Sequence, residues 1–402
     1  MGSSQQLLLQ EKAPYAPVEA PCPYFGTCGG CSLQDISYAD QLTLKAQRIQ
    51  RAFGSLGLVP SIPVIPVDEP WRYRNKAELT FGCSEGRMTL GYHAARSFWR
   101  LVDLEDCLLL PEPSAQVIQE VRTLAEQTGL PAYNPKTHQG FFRYLIIRHS
   151  RCRKEVLLCL ITTSGNRSIV EKIVDRLMER IPAIASVYWG VSQKLADVAV
   201  PEELIHLRGS KYLEDELGPF RLQIHPLSFL QPNGAQAHRL YEQIDRLLPE
   251  TSRRVAWDLY CGIGLVGFYL SKSFQTVYGI DVEPHHLEMA RINATRNGLN
   301  NIDFRVGRTE SLLMDRRFWL QEAKPDVIAL DPPRAGLHPQ TLNGILAARP
   351  AAIVYLSCNV QSLVRDLQGL LCGFPRYRLS DVMAFDMFPQ TPHMELLTVL
   401  AR

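Results

Sequence analysis

No stretch of this 402-residue chain approaches the ~18 uninterrupted apolar residues of a membrane-spanning helix, so no membrane partner is expected. Neither sign of charge dominates, since 43 Lys and Arg face 41 Asp and Glu, a net charge of +2. A global field that would draw in nucleic acid is missing, and any such partner must be held by local patches. Ten cysteines are too few for a disulfide scaffold. The opening segment contains Leu7, Leu8 and Leu9 but no basic region or cleavage site. It is read as no signal peptide, and a cytoplasmic protein is expected. There is no internal repeat, no low-complexity segment and no sign of an obligate protein partner.

What is present is an ordinary globular composition, 46% hydrophobic and 21% charged, long enough for two or three domains at ~150 residues each. Residues 1–20 are a loose, proline-bearing lead-in. Leu42, Ala46, Ile49 and Phe53 recur at helical steps and predict a helix over 39–56, with Lys45, Arg48 and Arg51 on its other faces. Pro60, Pro63, Pro66 and Pro70 then make a stiff connector. From 71 to 230 the pattern is mixed, with strands expected over 76–82, 142–147 and 155–162, and helices over 114–128 and 168–180. From 231 onward, apolar strands at 255–259, 276–280, 327–330 and 353–356 alternate with helices. That alternation predicts an α/β, doubly wound, mostly parallel sheet.

Several motifs sit at the ends of these strands. Gly262, Gly264 and Gly267 follow the 255–259 strand as G-x-G-x-x-G, and Asp281 closes the next strand 19 residues after Gly262. Such a loop lets a ligand touch the main chain, which fits a dinucleotide or S-adenosylmethionine. Asp258, just before the loop, suits a cationic sulfonium better than a pyrophosphate. Asp331-Pro332-Pro333-Arg334 and Ser357-Cys358-Asn359 each end an apolar strand, on the rim where doubly wound sheets bind ligands. A cysteine so placed reads as a nucleophile rather than a core residue. His393-Met394-Glu395 precedes a last apolar strand and offers a base. Near the N-terminus, Cys22-x5-Cys28-x2-Cys31 supplies three thiolates from one glycine-rich loop. Three local cysteines and one distant one suit a [4Fe–4S] cluster better than zinc. Spacing alone leaves the fourth open among Cys83, Cys107, Cys152 and Cys159.

With these motifs in this order, from Cys22 to the C-terminus, the chain resembles the RNA uracil-5-methyltransferases. Tyr73-Arg74-Asn75-Lys76, the Gly91-Tyr92 segment leading to Cys107, and Gln231 add to the likeness. The resemblance implies that Cys22, Cys28, Cys31 and Cys107 hold the cluster. Gln231, Tyr260, Asp281 and Asp331 would contact S-adenosylmethionine, Cys358 would be the nucleophile and Glu395 the general base. It implies a Rossmann-like methyltransferase domain from 34–66 and 231–402, and an iron–sulfur and RNA-binding central domain from 21–33 and 67–230. Leu265 stands where many members have Asn, Asp281 where Glu is commoner, and Val360 where Pro is usual. There is little chain before Cys22 for the N-terminal β-barrel of some members, so the cluster-bearing 23S ribosomal RNA branch is the nearer likeness. RNA, and ribosomal RNA first, is the expected partner.

Two segments offer the local positive charge that binding RNA requires. Residues 131–154 carry Lys136, Arg143, Arg148, Arg151, Arg153 and Lys154 with no acid, and Tyr133, Phe141, Phe142 and Tyr144 could stack bases. Residues 71–100 add Arg72, Arg74, Lys76, Arg87, Arg96 and Arg100. Other readings leave motifs unused. A transfer RNA enzyme fits the chemistry but generally lacks the cluster. An amino-group methyltransferase has no need of Cys358, and a nicotinamide oxidoreductase leaves Cys358 and Glu395 idle. A non-enzymatic iron–sulfur RNA-binding protein would not require the full catalytic set.

Overall fold

The computed structural model describes residues 8, 10–58, 62–315, 324–373 and 376–402; Leu7, Leu9 and Pro60 of the sequence reading lie outside the described residues. Strands are numbered along the chain as β1 (Val64–Ile65), β2 (Lys76–Ser84), β3 (Arg87–His93), β4 (Leu101–Asp103), β5 (Phe142–His149), β6 (Val156–Thr162), β7 (Ile184–Val191) and β8 (Glu203–Gly209). They continue as β9 (Leu213–Leu217), β10 (Phe220–Ile224), β11 (Val255–Leu259), β12 (Thr276–Asp281), β13 (Ile302–Val306), β14 (Val327–Leu330), β15 (Ala352–Ser357), β16 (Arg378–Phe385) and β17 (Glu395–Ala401). Two compact units emerge. One takes Met1–Ala16, Ser37–Asp68 and Ser228–Arg402, the other Pro17–Ile36 and Glu69–Leu227. No helix among the described residues is long and apolar enough to cross a membrane.

The first unit is built on one sheet of order β1-β16-β17-β15-β14-β11-β12-β13. β13, β12, β11, β14 and β15 run parallel, as buried apolar strands separated by helices require. β17 is antiparallel to both its neighbours, β15 and β16, so the sheet is mixed at this side. Trp257, Ile328, Tyr355 and Leu396 belong to its fully buried core. The second unit holds a seven-stranded sheet, β4-β3-β2-β5-β6-β7-β8, and a separate β9-β10 hairpin. Only β6 and β7 pair in parallel, and the helix Arg167–Arg180 makes the crossover between them. Ile118, Phe142, Leu158 and Val174 lie in the apolar core of this unit.

The helix predicted over 39–56 spans Tyr38–Gly54 and starts where Ser37 accepts a hydrogen bond from the Asp40 amide. Its buried stripe is wider than the apolar pattern indicates. Gln41 and Lys45 are buried with Leu44, Ile49 and Phe53, while Leu42 and Ala46 are only partly covered. Lys45, expected on a solvent-facing side, has no exposed side-chain surface because its ammonium lies 2.5 Å from Asp386, which is equally buried. The Phe388 carbonyl also accepts from Lys45 at 3.2 Å, and Gln41 exchanges two hydrogen bonds with Gln390. The helix therefore grips the 386–390 loop that leads into β17.

Removing one member of a buried ion pair strands the other, at a cost of about 3–5 kcal/mol. Lys45→Met is expected to lower unfolding stability in urea by that amount. Lys45→Met with Asp386→Leu is expected to recover most of the loss.

Candidate active site

Strand register brings three sequence-distant side chains to one rim. Leu330 of β14 pairs with Tyr355, Ser357 at the end of β15 pairs with Leu396, and Phe385 at the end of β16 pairs with Glu395. Asp331 and Cys358 thus leave β14 and β15 at the same edge at which Glu395 opens the antiparallel β17. The loops are cross-tied, since the Asn359 side-chain amide donates to the Arg334 carbonyl at 3.0 Å. Asp366 accepts from the Tyr355 hydroxyl and the Leu337 amide, each at 2.7 Å, and so holds the chain just beyond Arg334. Asn359 also caps the helix Val360–Cys372, leaving Cys358 immediately before that helix N-terminus. Such a position favours a thiolate.

Glu395 is 1% exposed, and neither carboxylate oxygen has a hydrogen-bond partner among the described residues. Burial pushes its carboxyl well above the usual range; Asp331 pushes the same way and Arg334 opposes. Asp331 is itself raised by burial, against a hydrogen bond with Gln231. Burial also raises the Cys358 thiol, with Glu395 and Asp331 adding to the effect and Arg334 pulling it down. Two carboxyls, a thiol and one guanidinium therefore set one another's charge. Cys358 opens onto a cleft of about 750 Å³ that Arg48, Arg334 and His393 also line.

Behind this rim lies a second pocket, lined by Gln231, Tyr241, Asp258, Tyr260, Cys261 and Asp331 among others. The loop bounding it turns sharply, with Tyr260 at φ 64°, Gly262 at 53° and Gly264 at 86°. A Cβ on Gly264 would lie 2.9 Å from the Phe304 ring as well as being strained, so glycine is required there. Asp258 also lines the pocket, with one oxygen accepting from the Gly267 amide at 2.7 Å and the other without a partner among the described residues. Asp281 is not among the residues lining the pocket. Its carboxylate accepts from the Gly262 and Glu283 amides, both at 2.9 Å. Burial would raise it, but His286 and these amides outweigh burial and hold it below the usual carboxylate range.

In the other unit, Cys22, Cys28, Cys31 and Cys107 line a single pocket with Gln34, Arg74 and Tyr92. A Cβ on Gly29 would meet the His93 carbonyl at 3.0 Å, so the loop packs closely against β3. Burial raises the thiols of Cys28, Cys31 (to about 12) and Cys107 (to about 11), so ionising them calls for a compensating cation. Among the described residues no group of three or more His, Cys, Asp or Glu converges as a single metal ion requires. Zinc would need its thiolates at ~2.3 Å from one point, whereas a cubane cluster holds its cysteines farther apart. The other candidates for a fourth cysteine lie elsewhere: Cys83 and Cys152 are exposed and Cys159 is buried in β6.

Residues 218–402 match a family model described as tRNA (Uracil-5-)-methyltransferase. An uncharacterized RNA methyltransferase of Halalkalibacterium halodurans is 35% identical over 95% of this chain and 83% of its own length. A second, from Clostridium tetani, is 31% identical over 95% of this chain and 83% of its own length. The chain belongs to the RNA uracil-5-methyltransferase family. It is also similar to the solved tRNA (uracil-54, C5)-methyltransferase of Pyrococcus abyssi in complex with S-adenosyl-L-homocysteine. That likeness has a TM-score of 0.77 at 29% identity, covering 92% of this chain and 86% of the other. The fold is that of an S-adenosylmethionine-dependent methyltransferase, and the protein is a transferase acting on RNA.

The basic segments of this methyltransferase are exposed only in part, with Arg87, Arg96, Arg100, Lys136, Arg151, Arg153 and Lys154 at the surface. Arg143 and Arg148 are buried and spend their donors on backbone carbonyls of residues 192, 194, 196 and 226. Arg72 is clamped to Asp106, and Phe141, Phe142 and Tyr144 are core residues. The sequence motifs contain Arg334 and His393, but sequence reasoning assigned Arg334 no charge role and did not find the burial of Lys45. Arg334 was legible as the charge closing the Asp331 motif; nothing in the pattern marks Lys45.

A carboxyl raised by folding has a definite pH signature. Against an unfolded value near ~4.3, native Glu395 keeps its proton longer, so its stabilising contribution is full at acid pH and lost as pH rises through the raised value. Glu395→Gln removes that titration. It is expected to exceed wild type in stability by about 1–3 kcal/mol at pH 8 and not at pH 4, measured by thermal unfolding at both.

Proposed function

We propose that this enzyme methylates C5 of a uridine in 23S ribosomal RNA, in the cytoplasm, through a covalent adduct with Cys358. Residues 34–66 and 231–402 form the methyltransferase domain in this reading, and 21–33 and 67–230 the cluster and RNA-binding domain. The observation that carries the mechanism is Glu395, a fully buried carboxyl without a hydrogen-bond partner among the described residues, beside a cysteine thiol. Burying such a group costs stability, and sites that accept this cost are where catalytic acids and bases are found.

Uracil C5 is too weakly nucleophilic to be methylated unaided. The Cys358 thiolate adds to C6, converting the ring to an enolate whose C5 carries electron density. S-adenosylmethionine supplies an electrophilic methyl on a cationic sulfur. Gln231, Tyr260, Asp281 and Asp331 bind it, Asp281 acting at the far end of the glycine loop through its hold on Gly262. Once C5 is methylated, Glu395 removes the C5 proton, the ring electrons return, and the C6–sulfur bond breaks to release Cys358. Arg334 lies beside both groups and favours the thiolate against burial. The target base must leave its stack to reach the cleft at Cys358.

Cys22, Cys28, Cys31 and Cys107 would hold a [4Fe–4S] cluster in this reading, and the half-buried cation of Arg74 in the same pocket would offset its negative charge. Methyl transfer involves no change of oxidation state, so the cluster is assigned a structural or RNA-positioning role. The ribosomal assignment rests on the four-cysteine set. A transfer RNA substrate is the second reading, favoured by the likeness to the Pyrococcus abyssi enzyme.

Mapping 5-methyluridine across total RNA from cells with and without the protein separates the two substrates; loss of a 23S site is expected, and loss confined to transfer RNA reverses the choice. RNA carrying 5-fluorouridine at the mapped site should form a denaturation-resistant adduct with wild type and none with Cys358→Ala. Glu395→Gln should accumulate adduct on natural RNA, because addition and methylation proceed while elimination stalls. Anaerobically purified protein should be brown with about four irons, and Cys107→Ala should lose the colour; a colourless zinc protein would refute the cluster.

A further inference from the structure

A second concavity lies wholly within the unit made of Pro17–Ile36 and Glu69–Leu227. It is a cleft of about 720 Å³, within the usual size of small-ligand sites. Phe98 is 82% exposed and Trp99 63%, both in the loop between β3 and β4 at the cleft's edge. The loop is shaped by Ser97, whose hydroxyl accepts from the Arg100 amide at 2.9 Å and the Trp99 amide at 3.3 Å. Two adjacent aromatics left in water are unfavourable unless something covers them.

The surroundings indicate what that is. Lys136 stands 5.0 Å from the centre of the Trp99 ring, and Arg100 and Arg143 also line the cleft. The lone acid of the lining, Asp197, accepts a hydrogen bond from Tyr144 and lies 3.6 Å from His93. Its charge is thus engaged, and the cleft is cationic as well as aromatic. Arg143 is 2% exposed, stacked 4.1 Å from the Tyr133 ring, and its Nε has no partner among the described residues. His93 Nδ1 is likewise unpartnered. Polar atoms left without partners in the side chains lining a cleft fit a site that takes a polar ligand.

We propose that this cleft binds unpaired nucleotides of the RNA substrate, separately from the uridine that reacts at Cys358. The bases stack on Phe98 and Trp99, and phosphates meet Lys136 and Arg100. Aromatic stacking accepts any base, so the cleft grips a single-stranded segment flanking the target rather than reading its sequence. Paired RNA would not fit, because its bases present no free faces. The inference rests on the reading of this chain as an RNA-modifying enzyme, and adds where another part of the substrate is held.

The test uses the full-length protein and a fluorescein-labelled single-stranded oligouridylate of twelve nucleotides, read by anisotropy. Phe98→Ala/Trp99→Ala should weaken binding about tenfold or more, Trp99→Phe should stay within about twofold, and Lys136→Ala should weaken binding and lower the salt slope by about one. RNA should quench the tryptophan emission of wild type, and Trp99→Phe should lack that component. The double variant should still form the 5-fluorouridine adduct at saturating RNA, with a raised KM and unchanged kcat. Wild-type affinity in the double variant would overturn the proposal and mark the aromatics as a protein-docking face. Cleft-dependent RNA binding in a wild-type protein that forms no adduct would instead sink the catalytic reading and leave the cleft standing.

Discussion

One antiparallel strand decides what the rim of the main sheet can do. In a parallel sheet every strand ends on the ligand side, so side chains at that edge come from chain about to become a loop. β17 runs the other way between β15 and β16, and its first residue, Glu395, falls on this edge with its backbone already paired to Phe385. A carboxyl held by a ladder moves less than one on a loop, which would suit the proton abstraction proposed for it. The buried Lys45–Asp386 pair and the Gln41–Gln390 exchange fix the preceding loop from the other side. Glu395 is thus positioned by register at one end and by a helix at the other.

The same placement creates an electrostatic problem that the chemistry can use. Asp331, Glu395 and Cys358 all favour their neutral forms here, because each is desolvated and each anion disfavours the next. Arg334 is the opposing charge, and it approaches from an exposed loop rather than from the core. A thiol that is neutral at rest resists stray oxidation and alkylation. In the proposed mechanism it would become a nucleophile when the charge around it changes, as when a cationic donor enters the neighbouring pocket beside Asp331. Asp258, which lines that pocket and is likewise raised by burial, adds a third carboxyl to the group.

Much of this was legible because strands buried on both faces have few alternatives. The apolar runs at 255–259 and 327–330 are strands to the residue, and the motifs that follow them occupy the rim for topological reasons. Other elements were silent. β13 (Ile302–Val306) is an edge strand with Asp303 and Arg305 facing solvent, so it lacks a continuous apolar run. β16 likewise mixes Arg378, Ser380 and Asp381 into its sequence. Lys45 shows the limit most clearly. A helical pattern assigns it to the surface, and only a partner 341 residues away makes its burial tolerable. Asp281 could be placed at a strand end from its spacing, but not that its carboxylate would be spent on two amides.

Counting charges along a segment assumes that each cation faces water, and arginine is the residue for which that assumption fails most readily. Its five donors can satisfy several carbonyls at once. Arg143 ties down the 192–196 loop and Arg148 the chain at Pro226, so two of the six basic residues in the richest basic segment are internal scaffolding, while Lys136, Arg151, Arg153 and Lys154 are exposed. Local charge density therefore overstated the phosphate track and understated the aromatic surface beside it. A chain with a net charge of only +2 has little long-range attraction for RNA to draw on. Its grip must then lean on short-range stacking and a few well-placed cations, which salt weakens far less than it weakens a polybasic patch.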